Sequence, residues 1–234
     1  MTELIVALDV PDLEAACRVV DQLYPAVRSF KVGSQLFTAE GPRAVQEVQR
    51  RGGRVFLDLK YCDIPHTVER AAAAAAELGV WMFTVHACGG LDMMRRAAAG
   101  ARSVRRSPPL VVGVTALTSV DEDTLRQVGV SEEPGEYALR LARLARQAGL
   151  DGVVCSVHEV RAVKEACGSQ FLTVVPGVRT GEVPGDDQAR RGNLEEAARA
   201  GADYVVVGRP VLQAADPVSV VRAALEVIGS SRRA

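Results

Sequence analysis

The sequence predicts an α/β protein built as one closed (β/α)8 barrel, and three observations predict it. Eight short apolar, β-branched runs are spread along the chain, and each is followed by an alanine-rich segment with helical periodicity. The total of 234 residues is a usual length for eight such units in a single domain. Strands alternating with helices imply a parallel sheet, because a parallel neighbour can be reached only through a crossover connection.

The elements follow in order. Residues 4–9 (LIVALD) form the first strand and 13–23 (LEAACRVVDQL) its helix. The second unit pairs 29–33 (SFKVG) with 43–52 (RAVQEVQRRG), and the third pairs 54–59 (RVFLDL) with 67–79 (TVERAAAAAAELG). Strand 81–86 (WMFTVH) precedes helix 91–101 (LDMMRRAAAGA), and strand 110–117 (LVVGVTAL) precedes helix 137–149 (YALRLARLARQAG). The last three units are 152–156 with 159–168, 171–177 with 193–201, and 204–208 with 217–229. Gly79, Gly149 and Gly201 stand where left-handed helix stops are needed. The alanine run 71–76 is helix former rather than linker. One domain over 1–234 is expected, with 230–234 a frayed tail.

Two connections exceed what a barrel needs: 118–136 after the fifth strand, and 179–192 (RTGEVPGDDQARRG) after the seventh, rich in Gly, Pro and Asp. Both are expected as irregular segments on the face where barrels keep their active sites, either functional lids or disorder.

Composition excludes several functions. With 28 basic against 29 acidic side chains, no broad cationic face is available for nucleic acid or anionic lipid. Five scattered cysteines without a CxxC pair suggest neither a disulfide framework nor a zinc site, and fit a reducing cytoplasm. The apolar start MTELIVALDV is too short to span a membrane and lacks the flanks of a secretory signal.

The chemistry concentrates at strand ends. Asp9 closes the first strand, Lys31 lies in the second, Asp58 and Lys60 close the third, and Arg209 follows the eighth. Pleat alternation puts Asp58 and Lys60 on one face, the barrel interior, where their mutual field is stronger than in water. Asp63 leaves in the turn and Pro65 opens the next helix. An ordinary ion pair with Asp63 as a helix N-cap would also explain this pattern. Lysine usage argues for more: only Lys31, Lys60 and Lys164 occur among the 28 basic residues, and two of them sit at strand ends. Arginine would serve for pairing, whereas a group that must deliver a proton has to be lysine. Gly208 and Arg209, together with VPGVR at 175–179, read as a phosphate cradle. His86 reads as scaffold more simply than as a base, His66 and His158 as surface or turn residues, and Trp81, Met93 and Met94 as core filling.

Six motifs in order then carry a resemblance: ALDV at 7–10, FKVG at 30–33, DLKYCDIPHT at 58–67, TALTS at 115–119, VPGVR at 175–179 and VVVGRP at 205–210. Along nearly its full length the chain resembles the orotidine 5′-phosphate decarboxylase family. The resemblance implies a cytoplasmic homodimer with shared active sites that makes UMP in pyrimidine biosynthesis without metal or cofactor. It implies catalytic roles for Lys31, Asp58, Lys60 and Asp63, with Lys60 as proton donor and Asp63 supplied by the neighbouring subunit. By the same resemblance Asp9 and the partner's Thr67 hold the ribose and Thr118 reads the pyrimidine edge. Arg179, Gln188, Gly208 and Arg209 would grip the phosphate. The alternatives are a sugar-phosphate decarboxylase or aldolase of the same barrel group, which uses Mg²⁺ and wants an acidic ligand on the second strand, and a non-catalytic nucleotide-binding barrel.

Overall fold

The computed structural model of the chain describes residues 2–104, 107–179 and 192–230. It opens with β1 (Glu3–Ala7), α1 (Leu13–Leu23), β2 (Ser29–Gly33), α2 (Ser34–Glu40), α3 (Pro42–Arg50), β3 (Arg54–Tyr61) and α4 (Pro65–Glu77). Next come β4 (Met82–His86), α5 (Gly90–Arg102), β5 (Leu110–Val114), α6 (Glu122–Gln127), α7 (Pro134–Gln147), β6 (Gly152–Val154) and α8 (Val160–Cys167). The chain closes with β7 (Leu172–Val175), the short β8 (Val178–Arg179) and β9 (Gly192–Asn193), α9 (Leu194–Ala200), β10 (Tyr204–Val207), α10 (Arg209–Leu212) and α11 (Pro217–Ser230).

Eight of these strands close into one parallel barrel in the order β1-β10-β7-β6-β5-β4-β3-β2, the TIM-barrel architecture, while β8 and β9 pair only with each other. Gly79, Gly149 and Gly201 all carry the positive φ that the helix stops require.

Two apolar layers follow from the alternation of strand side chains. Inward-facing Ile5, Ala7, Phe56, Met82, Val112, Val174 and Val206 fill the barrel. Outward-facing residues such as Val6, Phe30, Leu57, Phe83 and Val153 join the helices in a second, larger core that also buries Met93 and Met94. The lower end of the barrel is polar: Ser29 donates to Glu3 (2.6 Å) and accepts from Arg54 (2.7 Å), and Arg54 also pairs with Glu3. The Arg54 guanidinium lies 3.8 Å from the Trp81 ring centroid, and Tyr204 meets Trp81 edge-on at 5.1 Å. Trp81 is therefore a half-buried plug for this end rather than plain core filling.

Several expected bounds shift. The segment 118–136 is not wholly irregular: Asp121 accepts from the Thr124 amide at 2.9 Å and caps α6, with Glu122 and Asp123 in its first turn. Helix α2, absent from the sequence reading, is separated from α3 by Gly41 at φ 60°. Ser230 ends α11, and the rest of the expected tail lies outside the described residues, as does most of 179–192. Lys164 proves to be a scaffold cation, with its Nζ 2.6 Å from Asp203 Oδ2 while the same oxygen accepts from the Thr173 amide at 2.7 Å. Among the described residues no helix is long and apolar enough to cross a membrane.

Candidate active site

At the C-terminal mouth of the barrel lies a cavity of about 290 Å³. Asp9, Lys31, Asp58, Lys60, Thr118, Gly208 and Arg209 all line it, so seven of the residues picked from sequence converge on one space. Its apolar wall comes from Ala116, Val154, Cys155, Pro176 and Val206.

Four of the charged groups form a chain of alternating sign. Lys31 Nζ is 3.0 Å from Asp9 Oδ1 and 3.6 Å from Asp58 Oδ2, and Lys60 Nζ donates to that same Asp58 oxygen at 2.8 Å. β2 and β3 set this up by pairing in register, Lys31 beside Phe56 and Gly33 beside Asp58. Gly33 is the space-maker: a Cβ there would sit 2.8 Å from Lys31 Nζ and 3.2 Å from Asp9 Oδ1, so the ammonium would have to move from its present place between the two carboxylates.

Asp58 is buried, at 9 % exposure. Burial pushes its carboxyl pKa up, but the Lys31 and Lys60 ammoniums and the hydrogen bonds from Lys60 and Thr84 outweigh that and hold it below the ordinary carboxylate range. His86, half-buried at the end of β4, is pushed down by burial and then by Lys60, with Asp58 opposing. An imidazole so placed stays neutral at physiological pH.

The expected pleat alternation between Asp58 and Lys60 is corrected. Between the pairs Leu57–Phe83 and Tyr61–Val85, β3 spends four residues where β4 spends two, so the strand bulges at the site. Lys60 takes φ 53°, the one positive value outside glycine among the described residues. The two side chains still share the cavity, but a bulge puts them there, and β3 continues to Tyr61 instead of ending at 59.

Other sequence-derived residues do not converge. Asp63 and Thr67 are exposed and do not line the cavity of their own chain. The N-cap position of α4 is Ile64, whose amide donates to Asp63 Oδ1 at 2.6 Å, and Pro65 occupies N1 as expected. The backbone of Arg179 pairs with Asn193, while its side chain and all of Gln188 lie outside the described residues. His66 and His158 are exposed.

Sequence reading missed Gly33 as a spacer, Ser119 as a lining residue, and Thr84, which is fully buried beneath the charge chain. The available signal for Thr84 was a lone hydroxyl in the apolar run WMFTVH.

Known proteins resemble this chain in sequence and in fold. The chain is 51% identical over 226 residues to the orotidine 5′-phosphate decarboxylase of Moorella thermoacetica, covering 94% of this chain and 90% of that protein. It is 49% identical over 223 residues to the enzyme of the same name from Legionella pneumophila strain Paris, covering 95% and 97%. A crystal structure of orotidine 5′-phosphate decarboxylase from Lactobacillus acidophilus superposes with a TM-score of 0.86 at 35% identity, over 97% of this chain and 98% of that one. With residues 2–224 matching its family model, the chain belongs to the orotidine 5′-phosphate decarboxylase / HUMPS family.

Proposed function

We propose that the barrel-mouth cavity decarboxylates orotidine 5′-phosphate to UMP, a step of de novo pyrimidine biosynthesis, in the cytoplasm. The observation that carries this reading is the Asp9–Lys31–Asp58–Lys60 charge chain facing the same cavity as Gly208 and Arg209. Loss of CO₂ from C6 leaves an electron pair in the plane of the pyrimidine ring, where no adjacent carbonyl can accept it. A fixed ammonium beside C6 meets that charge and then supplies the proton, so no organic electron sink is needed. Lys60 is that ammonium, and Asp58 aims it from below while Lys31 adds a second positive charge beside the same carboxylate oxygen.

At the far end of the substrate Gly208 and Arg209 take the phosphate, with Arg179 and Gln188 of the loop after β7 closing over it. Asp9 takes a ribose hydroxyl and Thr118 the pyrimidine edge.

Asp63 and Thr67 act in the site of a second copy. Their exposure supports this reading, as does Ile64 between them, an apolar side chain left 67% exposed. The protein is then a homodimer in which each site draws Lys60 from one chain and Asp63 from the other. Mixing inactive Lys60→Ala and Asp63→Asn dimers under exchange should restore about a quarter of wild-type activity, because half the dimers are mixed and each holds one intact site. Activity equal to the mean of the two parents would refute the shared site.

A magnesium-dependent sugar-phosphate reaction fits less well. Lys31 occupies the place on the second strand where a metal-binding acid would be needed, and its ammonium lies between the two carboxylates. Turnover of orotidine 5′-phosphate should be unchanged by EDTA; a loss that Mg²⁺ restores would favour the metal-dependent reading.

A further inference from the structure

We propose that Thr84 is a positioning residue for the decarboxylation, holding both the backbone and the ammonium of Lys60 in place through a single buried hydroxyl. The proposal rests on Lys60 being the proton donor.

The bulge in β3 creates the need. Where β3 spends four residues against two of β4, the Lys60 amide loses the carbonyl that a regular ladder would provide. Its φ of 53° is a conformation that lysine adopts only when its surroundings enforce it. Thr84 Oγ1 supplies the missing partner by accepting from the Lys60 amide at 2.8 Å. The same hydroxyl donates to Asp58 Oδ1 at 3.0 Å. The other oxygen of Asp58 accepts from Lys60 Nζ at 2.8 Å. The ring thus runs from the Lys60 amide through Thr84 and Asp58 to the Lys60 ammonium, and Thr84 is its one member with no exposure to solvent.

The ion pairs of Asp9, Lys31, Asp58 and Lys60 face the cavity, whereas Thr84 is buried beneath them as a fixed point. A threonine used only to satisfy a strand end would need one bond, whereas this hydroxyl uses its proton and a lone pair on the two residues that bear the chemistry. Its bond to Asp58 favours the ionised carboxylate, a direction shared with Lys31 from β2 and Lys60 from β3. His86 from β4 also faces this group, and Asp9 at the end of β1 faces it through Lys31.

The test compares Thr84→Val, which keeps the shape and removes the hydroxyl, with Thr84→Ser, which keeps the hydroxyl. Rates are taken per folded molecule, with melting temperature recorded. The valine variant is expected to lose about 10²-fold in kcat, the cost of displacing a reacting group by about an ångström, with KM changed less than about threefold. The acid limb of its kcat/KM profile should move to higher pH, because Asp58 has lost a donor to its charged form. The serine variant should recover to within about fivefold of wild type. Thr84→Ala is a second hydroxyl-free variant, expected to behave as valine does.

The proposal is overturned if the folded valine variant turns over within about threefold of wild type, or if serine is as impaired as valine. It is also overturned if neither hydroxyl-free variant folds, since a purely structural role then explains the residue. Lys60→Ala separates the two levels: if it turns over freely, the reading of Lys60 fails. If it is dead while Thr84→Val is active, only the role of Thr84 fails.

Discussion

Replacing Lys60 by methionine is expected to lower kcat/KM for orotidine 5′-phosphate by about 10⁴-fold or more. The substitution removes two effects at once: general acid catalysis, worth about 10²–10⁴, and electrostatic stabilisation of the developing anion, worth about 10²–10³. The fold should survive, because Asp58 keeps Lys31 at 3.6 Å and the Thr84 hydroxyl at 3.0 Å when the 2.8 Å bond to Lys60 is lost. Lys60→Arg refines the result. It retains a cation beside Asp58 but one that does not give up its proton, so a loss of at least about 10² should remain. Following the loss of pyrimidine absorbance measures both variants; a methionine variant within about tenfold of wild type would be incompatible with the role given to Lys60.

The second large effect is expected at the opposite end of the substrate. Arg209→Ala should lower kcat/KM by about 10² or more, equivalent to about 3 kcal/mol at the transition state. Arg209 and Gly208 line the same cavity as Lys60, and in the proposed reading they hold the phosphate, a part of the substrate that does not react. Interaction energy gained there orients and desolvates the pyrimidine, so its loss reaches kcat as well as KM. Calorimetry provides a check independent of turnover: the variant should bind UMP more weakly than wild type while its affinity for uridine, which has no phosphate, is unchanged. A loss in kcat/KM under about threefold would contradict the phosphate assignment.

Much of this molecule is legible in its sequence, for identifiable reasons. β2 and α1 lie where SFKVG and LEAACRVVDQL place them, since apolar periodicity is a local property and Asp12 caps α1 by accepting from the Ala15 amide. β5 and β6 end earlier than the sequence predicts because apolar character continues beyond Val114 and Val154 into residues that wall the cavity, such as Ala116 and Cys155. Lys31 and Lys60 stood out through the scarcity of lysine, and the chain of charges they form follows from strand register.

The bulge at 58–60 could not be read, because it exists only in the pairing of β3 with β4. The lone hydroxyl of Thr84 in WMFTVH is visible in sequence but its role is not, since threonine is common in strands and its importance comes from the amide that the bulge leaves without a ladder partner. Asp63 and Thr67 could be named from the motif, but the role proposed for them in a second chain's cavity follows from no rule of local structure, which shows only an exposed acid beside an exposed isoleucine.

The decisive observation is a crystal structure of the protein with UMP or a charged analogue bound. The position of C6 should lie within hydrogen-bonding reach of Lys60 Nζ, about 3 Å away, with the carboxylate of Asp63 from a second chain facing the same carbon. If Lys60 points away from C6, or another group occupies that place, the electrostatic mechanism is wrong.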